Sequence, residues 1–332
     1  MMETMELNQN ANTLQVEQPV IEVKGLKKYF DHSRGKLHAV DDVSFKIMKG
    51  KTMGIVGESG CGKTTLGRMM VHLESTTDGN IYFNGEDITN PNKKDLKRIR
   101  QDMRIIFQDP YSSLNPRMTL QQSIQEPLRR MGQQSKSEIA VRTDELMDMV
   151  GIDSRLRLSY PHELDGGRRQ RVGMGRALAP NPSFIVCDEP VSALDVSIQA
   201  QVLNLLQDLQ EKYGITYMFI THDLSVVRHI SHDICVMYLG QLVETSPSKE
   251  LFQNPLHPYT KALLSAIPSL DIKNKAQRMI LKGELSSPIN PKPGCRFAAR
   301  CPYATEACPQ PQKLEDVAPN HFVSCCRVRE IN

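Results

Sequence analysis

The chain has 332 residues, of which 39% are hydrophobic and 24% charged, with a formal net charge of +3. That length predicts two or three structural units. The composition excludes a disordered or fibrous chain, and the charge is too small to point to nucleic acid. No apolar run approaches the roughly 20 residues of a membrane-spanning helix.

Residues 1–18 are polar and rich in Asn, Gln and Glu. They read as a disordered lead rather than a signal peptide, so the chain is expected to stay in the cytoplasm. Residues 20–48 alternate apolar and polar, which predicts two or three antiparallel strands with a loop near Asp31 to Gly35. Tyr29 and Phe30 lie among them, and an aromatic there can stack on a base or fill a core.

The strongest signal comes next. Met53-Gly54-Ile55-Val56 reads as a short buried strand, followed by Gly57-Glu58-Ser59-Gly60-Cys61-Gly62-Lys63-Thr64-Thr65. This fits G-x-x-x-x-G-K-[ST], and the residues behind it, to about Leu73, read as a helix. A glycine-rich turn between strand and helix aims backbone N–H groups at one point, where the helix dipole also favours an anion. Lys63 is placed to reach the β- and γ-phosphates of a nucleotide, and the Thr64 hydroxyl to ligate Mg²⁺.

Further strands are expected at 80–85 and at 103–107, the second with Gln108 at its end. Residues 109 to about 165 carry Pro110, Pro116 and Pro127 and then helical patterns, a mostly helical insertion in an α/β framework. Asp165, followed by Gly166 and Gly167, sits at the natural N-cap of a helix running to about Ala179. Phe184-Ile185-Val186-Cys187 is an apolar run that ends in Asp188 and Glu189. An open α/β sheet places its ligand groups at such strand ends. Asp188 is expected to hold Mg²⁺ through water and Glu189 to polarise an attacking water. A helix over 199–213 leads to the strand 216–221, with His222 at its tip as a γ-phosphate contact. Strands alternating with helices predict a parallel sheet, and four strand ends then gather the candidate residues on one edge.

In order, the phosphate loop, Gln108, Leu164-Asp165-Gly166-Gly167, Asp188-Glu189, Ser192-Ala193-Leu194-Asp195 and His222 resemble the ATP-binding subunit of an ABC transporter. The segments Tyr160-Pro161-His162-Glu163-Leu164 and Asn254 to Leu264 narrow the resemblance to the peptide and nickel importer group, in particular the second ATPase of a dipeptide or oligopeptide system. The resemblance implies an ABC cassette over residues 19–267: a RecA-like parallel sheet, an antiparallel β subdomain and a helical subdomain at about 109–165. It implies that two ATPase subunits meet head to tail, with each ATP between one phosphate loop and the partner's signature. It also implies two membrane permeases, an extracellular substrate-binding protein, and a peripheral place on the cytoplasmic face of the membrane. By the same resemblance Tyr29 stacks on adenine, Gln108 senses Mg²⁺ and couples to the permease, Asp195 meets the partner, and His222 steadies the γ-phosphate.

One position departs from the family. Its signature is L-S-G-G-Q, whereas Asp165 stands at the serine position and Arg168 at the glutamine position. Asp165 can cap the helix, but an ionised carboxylate cannot donate a hydrogen bond to a phosphate. At about 4 Å and an effective dielectric near 20 the repulsion is about 4 kcal/mol. The lost charged hydrogen bond adds roughly 1.5–3 kcal/mol. Arg168 lies on the same helix face and can offset part of this. The expectation is a heterodimer with unequal ATP sites.

From about Pro268 the pattern changes to a Pro-rich extension, 268–332, with little periodicity. Such a segment needs a staple. Cys295, Cys301, Cys308 and Cys325 are spaced C-x5-C-x6-C-x16-C, with Cys326 as an alternative fourth member. Zinc sites favour shorter C-x2–4-C steps; four cytosolic thiolates also suit an iron–sulfur cluster, and free thiols are the plain alternative. The family resemblance implies a four-iron cluster here, with Arg296, Arg300, Arg327 and Arg329 offsetting its charge.

Overall fold

The structure, a computed structural model, describes residues 18–132, 135–267, 279, 281 and 286–332. Residues 1–17 of the 1–18 lead, and most of 268–285, lie outside the described residues. In chain order the strands are β1 (Pro19–His32), β2 (Gly35–Met48), β3 (Thr52–Val56), β4 (Asp78–Phe83), β5 (Glu86–Asp87), β6 (Met103–Ile106), β7 (Phe184–Asp188), β8 (Thr216–Thr221), β9 (Asp233–Tyr238), β10 (Gln241–Pro247), β11 (Glu315–Ala318) and β12 (His321–Val323).

They form two sheets. One is four-stranded, with order β2-β1-β4-β5; the other is eight-stranded, with order β11-β12-β10-β9-β3-β8-β7-β6. Within the second, β6, β7, β8, β3 and β9 are parallel. Every residue of β3, β7 and β8 is buried. Strands covered on both faces take continuous apolar runs, which is why these three show no alternation. Parallel strands also point their C-terminal ends the same way, so Val56, Phe107, Asp188 and Thr221 arrive at one edge.

A helical layer follows β6. The helix Leu120–Met131 opens on a reciprocal capping box between Thr119 and Gln122 and ends at Gly132 with φ 71°. The helix Lys136–Met149 opens on a second box, Ser135 with Glu138. Each box satisfies two N–H groups that a helix start leaves open. Both helices and Gly166–Leu178 share one core with Leu120, Ile124, Leu128, Leu146 and Val172. Burying apolar stripes against one another is what stabilises helices this short.

The Pro-rich extension is joined to the cassette rather than set apart from it. β12 pairs with β10, and β11 with β12, both antiparallel, so the chain's last strands complete the edge of the main sheet. Phe297 is buried beside Tyr238 and Tyr259, ring centres 5.3 and 5.4 Å away. Glu244, fully buried on β10, accepts from the N–H groups of Leu256 and His257 at 2.8 and 3.0 Å and pairs with buried His321 at 2.7 Å. A buried carboxylate needs such partners, and one of them comes from the last strand.

Candidate nucleotide site

The phosphate loop is held from both sides. At Gly62, φ 106°, an added Cβ would lie 2.0 Å from the Ala39 carbonyl oxygen of β2. At Gly57, φ 155°, one would lie 2.1 Å from the Met237 carbonyl oxygen of β9. Only glycine lets backbone approach backbone this closely at such angles. The helix Lys63–Met70 starts immediately after, so the first-turn N–H groups face the loop. Lys63 is buried, and its ammonium donates to the carbonyls of Gly57 and Glu58 at 2.8 and 2.9 Å.

A cavity of 550 Å³ opens at this edge, lined by Ser59, Gly60, Gly62, Lys63, Thr64 and Thr65 of the loop and by Gln108, Glu189 and His222 of three other strand ends. Phe30, Leu37, His38, Ala39, Leu239, Gly240 and Pro288 close the rest. Gly57 and Cys61 stand behind the lining. Cys61 is buried, with its sulfur 3.8 Å from the Lys63 nitrogen, and burial pushes its thiol pKa up.

Two polar contacts organise the carboxylates. The Thr64 hydroxyl donates to Asp188 at 2.9 Å. Burial pushes the Asp188 carboxyl above its ordinary value, against the pull of that hydrogen bond. Glu189 sits between Gln108, whose Nε2 donates to it at 2.8 Å, and His222, whose Nδ1 lies 3.2 Å away. Glu189 also holds φ 45°, a left-handed conformation uncommon for a non-glycine residue. Such strain persists only where surrounding contacts impose it, and here the Glu189 N–H donates to the Ile220 carbonyl at 2.9 Å. The arrangement can hold a divalent cation at Thr64 and Asp188, and orient a water between Glu189 and a phosphate.

Tyr29, the expected adenine partner, is not on the cavity lining. Its ring stacks on His38 at 3.9 Å and its hydroxyl donates to Asp41. Phe30 lines the cavity instead. The pairing of β1 with β2 shifts register between Leu26 and Lys28 and again between Lys28 and Tyr29. Bulges of this kind break simple alternation, so the face of each aromatic was not legible from the sequence.

The signature residues lie elsewhere on the chain. Asp165 caps the helix Gly166–Leu178, accepting from the Arg168 N–H at 2.8 Å. The Arg168 side chain lies 3.5 Å from it, both more than half exposed. Gly167 is required because a Cβ there would meet Ile198 at 2.5 Å.

Cys295, Cys301, Cys308, Cys325 and Cys326 line one small cavity of about 20 Å³. All five are free thiols. Among the described residues no group of three or more His, Cys, Asp or Glu side chains is arranged to hold a metal ion. The iron–sulfur and zinc expectations therefore gain no support from the geometry. Burial pushes Cys295 up to about 12 and raises Cys301, Cys325 and Cys326 too. Three of the four arginines expected to offset a cluster pair elsewhere: Arg296 with Asp41, Arg300 with Glu58, and Arg327 with Glu330.

A parallel sheet edge carrying a phosphate loop, a hydrogen-bonded threonine–aspartate pair and a strained glutamate fits a nucleoside triphosphatase of the ABC cassette class. Residues 40–192 match the ABC transporter family, and residues 243–308 match the C-terminal region of the oligopeptide/dipeptide transporter family. The oligopeptide transport ATP-binding protein AppF of Bacillus subtilis is 48% identical over 320 residues, 93% of this chain and 97% of that protein. The corresponding protein OppF of Salmonella typhimurium is 46% identical over 321 residues, 93% and 96% of the two. Among solved structures, cbiO1 of Clostridium perfringens, part of an ABC transporter complex, superposes with TM-score 0.65 at 27% identity, covering 72% of this chain and 92% of that one. The dimeric post-hydrolysis cassette MJ0796 bound to ADP and Pi gives 0.63 at 29%, covering 69% and 98%. The chain belongs to the oligopeptide-transport branch of the ABC ATP-binding proteins, a family of ATPases.

Proposed function

We propose that this chain binds and hydrolyses MgATP to drive import of peptides through two membrane permeases fed by an external binding protein. The chain works from the cytoplasmic face of the membrane. The single observation that carries the reading is Glu189 held between Gln108 and His222 at the mouth of the phosphate-loop cavity. In this reading Ser59 to Thr65 and Lys63 hold the phosphates, Thr64, Gln108 and Asp188 the Mg²⁺, and Phe30 the base. Glu189 takes the proton of the attacking water, and His222 steadies the terminal phosphate. Among the described residues no helix is long and apolar enough to cross a membrane. A cleft of 560 Å³ beside Phe107, between Arg104 and Glu126, offers the permeases a surface next to Gln108.

The signature makes the two ATP sites unequal. Asp165 and Arg168 are both exposed at 3.5 Å, and an exposed pair of that kind is worth little. Asp165 therefore keeps its charge toward the phosphate of an opposed subunit. We infer a heterodimer in which a different ATPase supplies an intact signature to this chain's own phosphate loop. The test is ATP turnover of the chain alone and with the ATPase encoded beside it. Full turnover alone removes the heterodimer. Asp165→Ser with Arg168→Gln is expected to raise turnover of the chain alone. Iron and sulfide analysis of protein purified without oxygen assigns the extension's cysteines: about four irons per chain means a cluster, none means a thiol-packed core.

A further inference from the structure

The extension returns to the nucleotide cavity at three places. Pro288 lines it, and its carbonyl accepts from the His38 N–H at 3.0 Å. Arg296, almost fully buried, binds the Leu239 carbonyl and Asp41, the carboxylate that also holds Tyr29 and His38. Arg300 reaches the phosphate loop itself: its Nη1 donates to both oxygens of Glu58, at 2.9 and 3.1 Å. The Arg300 side chain is 11% exposed and that of Glu58 25%. On the other side of the same residue, the Glu58 N–H donates to the Tyr259 hydroxyl at 2.9 Å.

We propose that Arg300 is a positioning residue for ATP, acting through Glu58, so that the C-terminal extension is a working part of the nucleotide site. The proposal rests on the MgATP reading above. Glu58 follows Gly57 at the start of the loop, where the backbone N–H groups must converge on a phosphate. A free carboxylate in that loop also repels a triphosphate. Arg300 removes both difficulties at once: it fixes the side chain, and it neutralises the charge in a partly buried setting where screening is weak. An arginine that merely fastened the extension to the cassette would contribute stability and leave nucleotide affinity alone.

The experiment is a double-mutant cycle on the full chain, reading MgATP affinity by calorimetry, and KM and kcat with the partner ATPase present. Arg300→Ala is expected to weaken MgATP about tenfold, the scale of one charge-assisted contact, with kcat at saturation changed less than about twofold. Arg300→Lys is expected to recover part of the affinity. In a Glu58→Gln background, Arg300→Ala is expected to cost less than about twofold, because no carboxylate remains to be restrained. Thermal unfolding of each variant separates fold from site, and Arg300→Lys carries the test if Arg300→Ala does not fold. Wild-type affinity in Arg300→Ala with a lowered unfolding midpoint overturns the proposal and leaves the ATPase standing. So does an Arg300→Ala cost that is the same in both backgrounds. A wild-type chain that binds no MgATP overturns the ATPase reading, and this one with it.

Discussion

Replacing Glu189 by glutamine separates chemistry from architecture. The introduced amide has the volume of the carboxylate and inherits the same left-handed backbone. Its oxygen still accepts from Gln108 Nε2, now 2.8 Å from the carboxylate, and its nitrogen can donate to His222 Nδ1, now 3.2 Å away. No buried donor or acceptor loses its partner, so the unfolding midpoint and MgATP affinity are expected to stay near wild type. What disappears is the capacity to take a proton from water. General-base catalysis is worth about 10²–10⁴-fold. At about 1.36 kcal/mol per tenfold that is roughly 3–5 kcal/mol of barrier. The assay is phosphate release at saturating MgATP, beside calorimetric binding of MgATP to the same preparation. Turnover within about threefold of wild type would refute a proton-accepting role for Glu189. Loss of binding with loss of turnover would show that the side chain shapes the cavity instead.

Three other outcomes follow from the contacts. Phe30→Ala should weaken nucleotide binding by roughly 1–3 kcal/mol, the scale of an aromatic stack on a base, while Phe30→Tyr retains it; equal affinity in all three would remove the base platform. Phe297→Ala should destabilise the fold by about 3–5 kcal/mol, read as a lower urea midpoint, because a buried ring leaves a hole among Tyr238, Tyr259 and His257. The third concerns acid. His232 Nδ1 accepts the Thr52 N–H at 3.0 Å, and burial, helped by Lys51, lowers the His232 pKa below its ordinary 6.5. A histidine depressed on folding contributes its stability in full above that value and loses it as the pH falls below. Between about pH 7.5 and 5.5 the melting midpoint should therefore drop less in His232→Asn, whose side-chain oxygen accepts the same N–H, than in wild type.

The site was legible where chemistry forces residue type and spacing together. Gly57 and Gly62 are dictated by the close approach of the Met237 and Ala39 carbonyls, and Lys63 and Thr64 follow them at the spacing of a phosphate loop. Asp188, Gln108 and His222 follow from apolar runs that stop at polar residues. Three features were not legible. The face on which Phe30 lies depends on bulges in β1, set by pairing with a second strand. The conformation of Glu189 is imposed by Ile220 on β8, 31 positions along the chain by the numbering. The extension read as unpatterned because β11 and β12 are four and three residues long. Its anchors, Arg296, Phe297, Arg300 and His321, find partners on distant segments that no local window contains. A cluster of cysteines drew attention to ligand chemistry, whereas the neighbouring arginines carry the contacts that reach the cassette.

The pairing of β12 on β10 sets a condition on biosynthesis. Until the ribosome has released His321 to Val323, β10 exposes an unpaired edge and Glu244 lacks its imidazole partner. Polypeptides generally fold unit by unit from the N-terminus as they emerge. In this chain the phosphate loop emerges early, yet β10 gains its edge partner only when His321 to Val323 emerge. A stalled or prematurely terminated product would carry every nucleotide-binding motif and still present an open strand and a lone buried carboxylate. Those are features that cellular quality control can act on before such a chain reaches a permease.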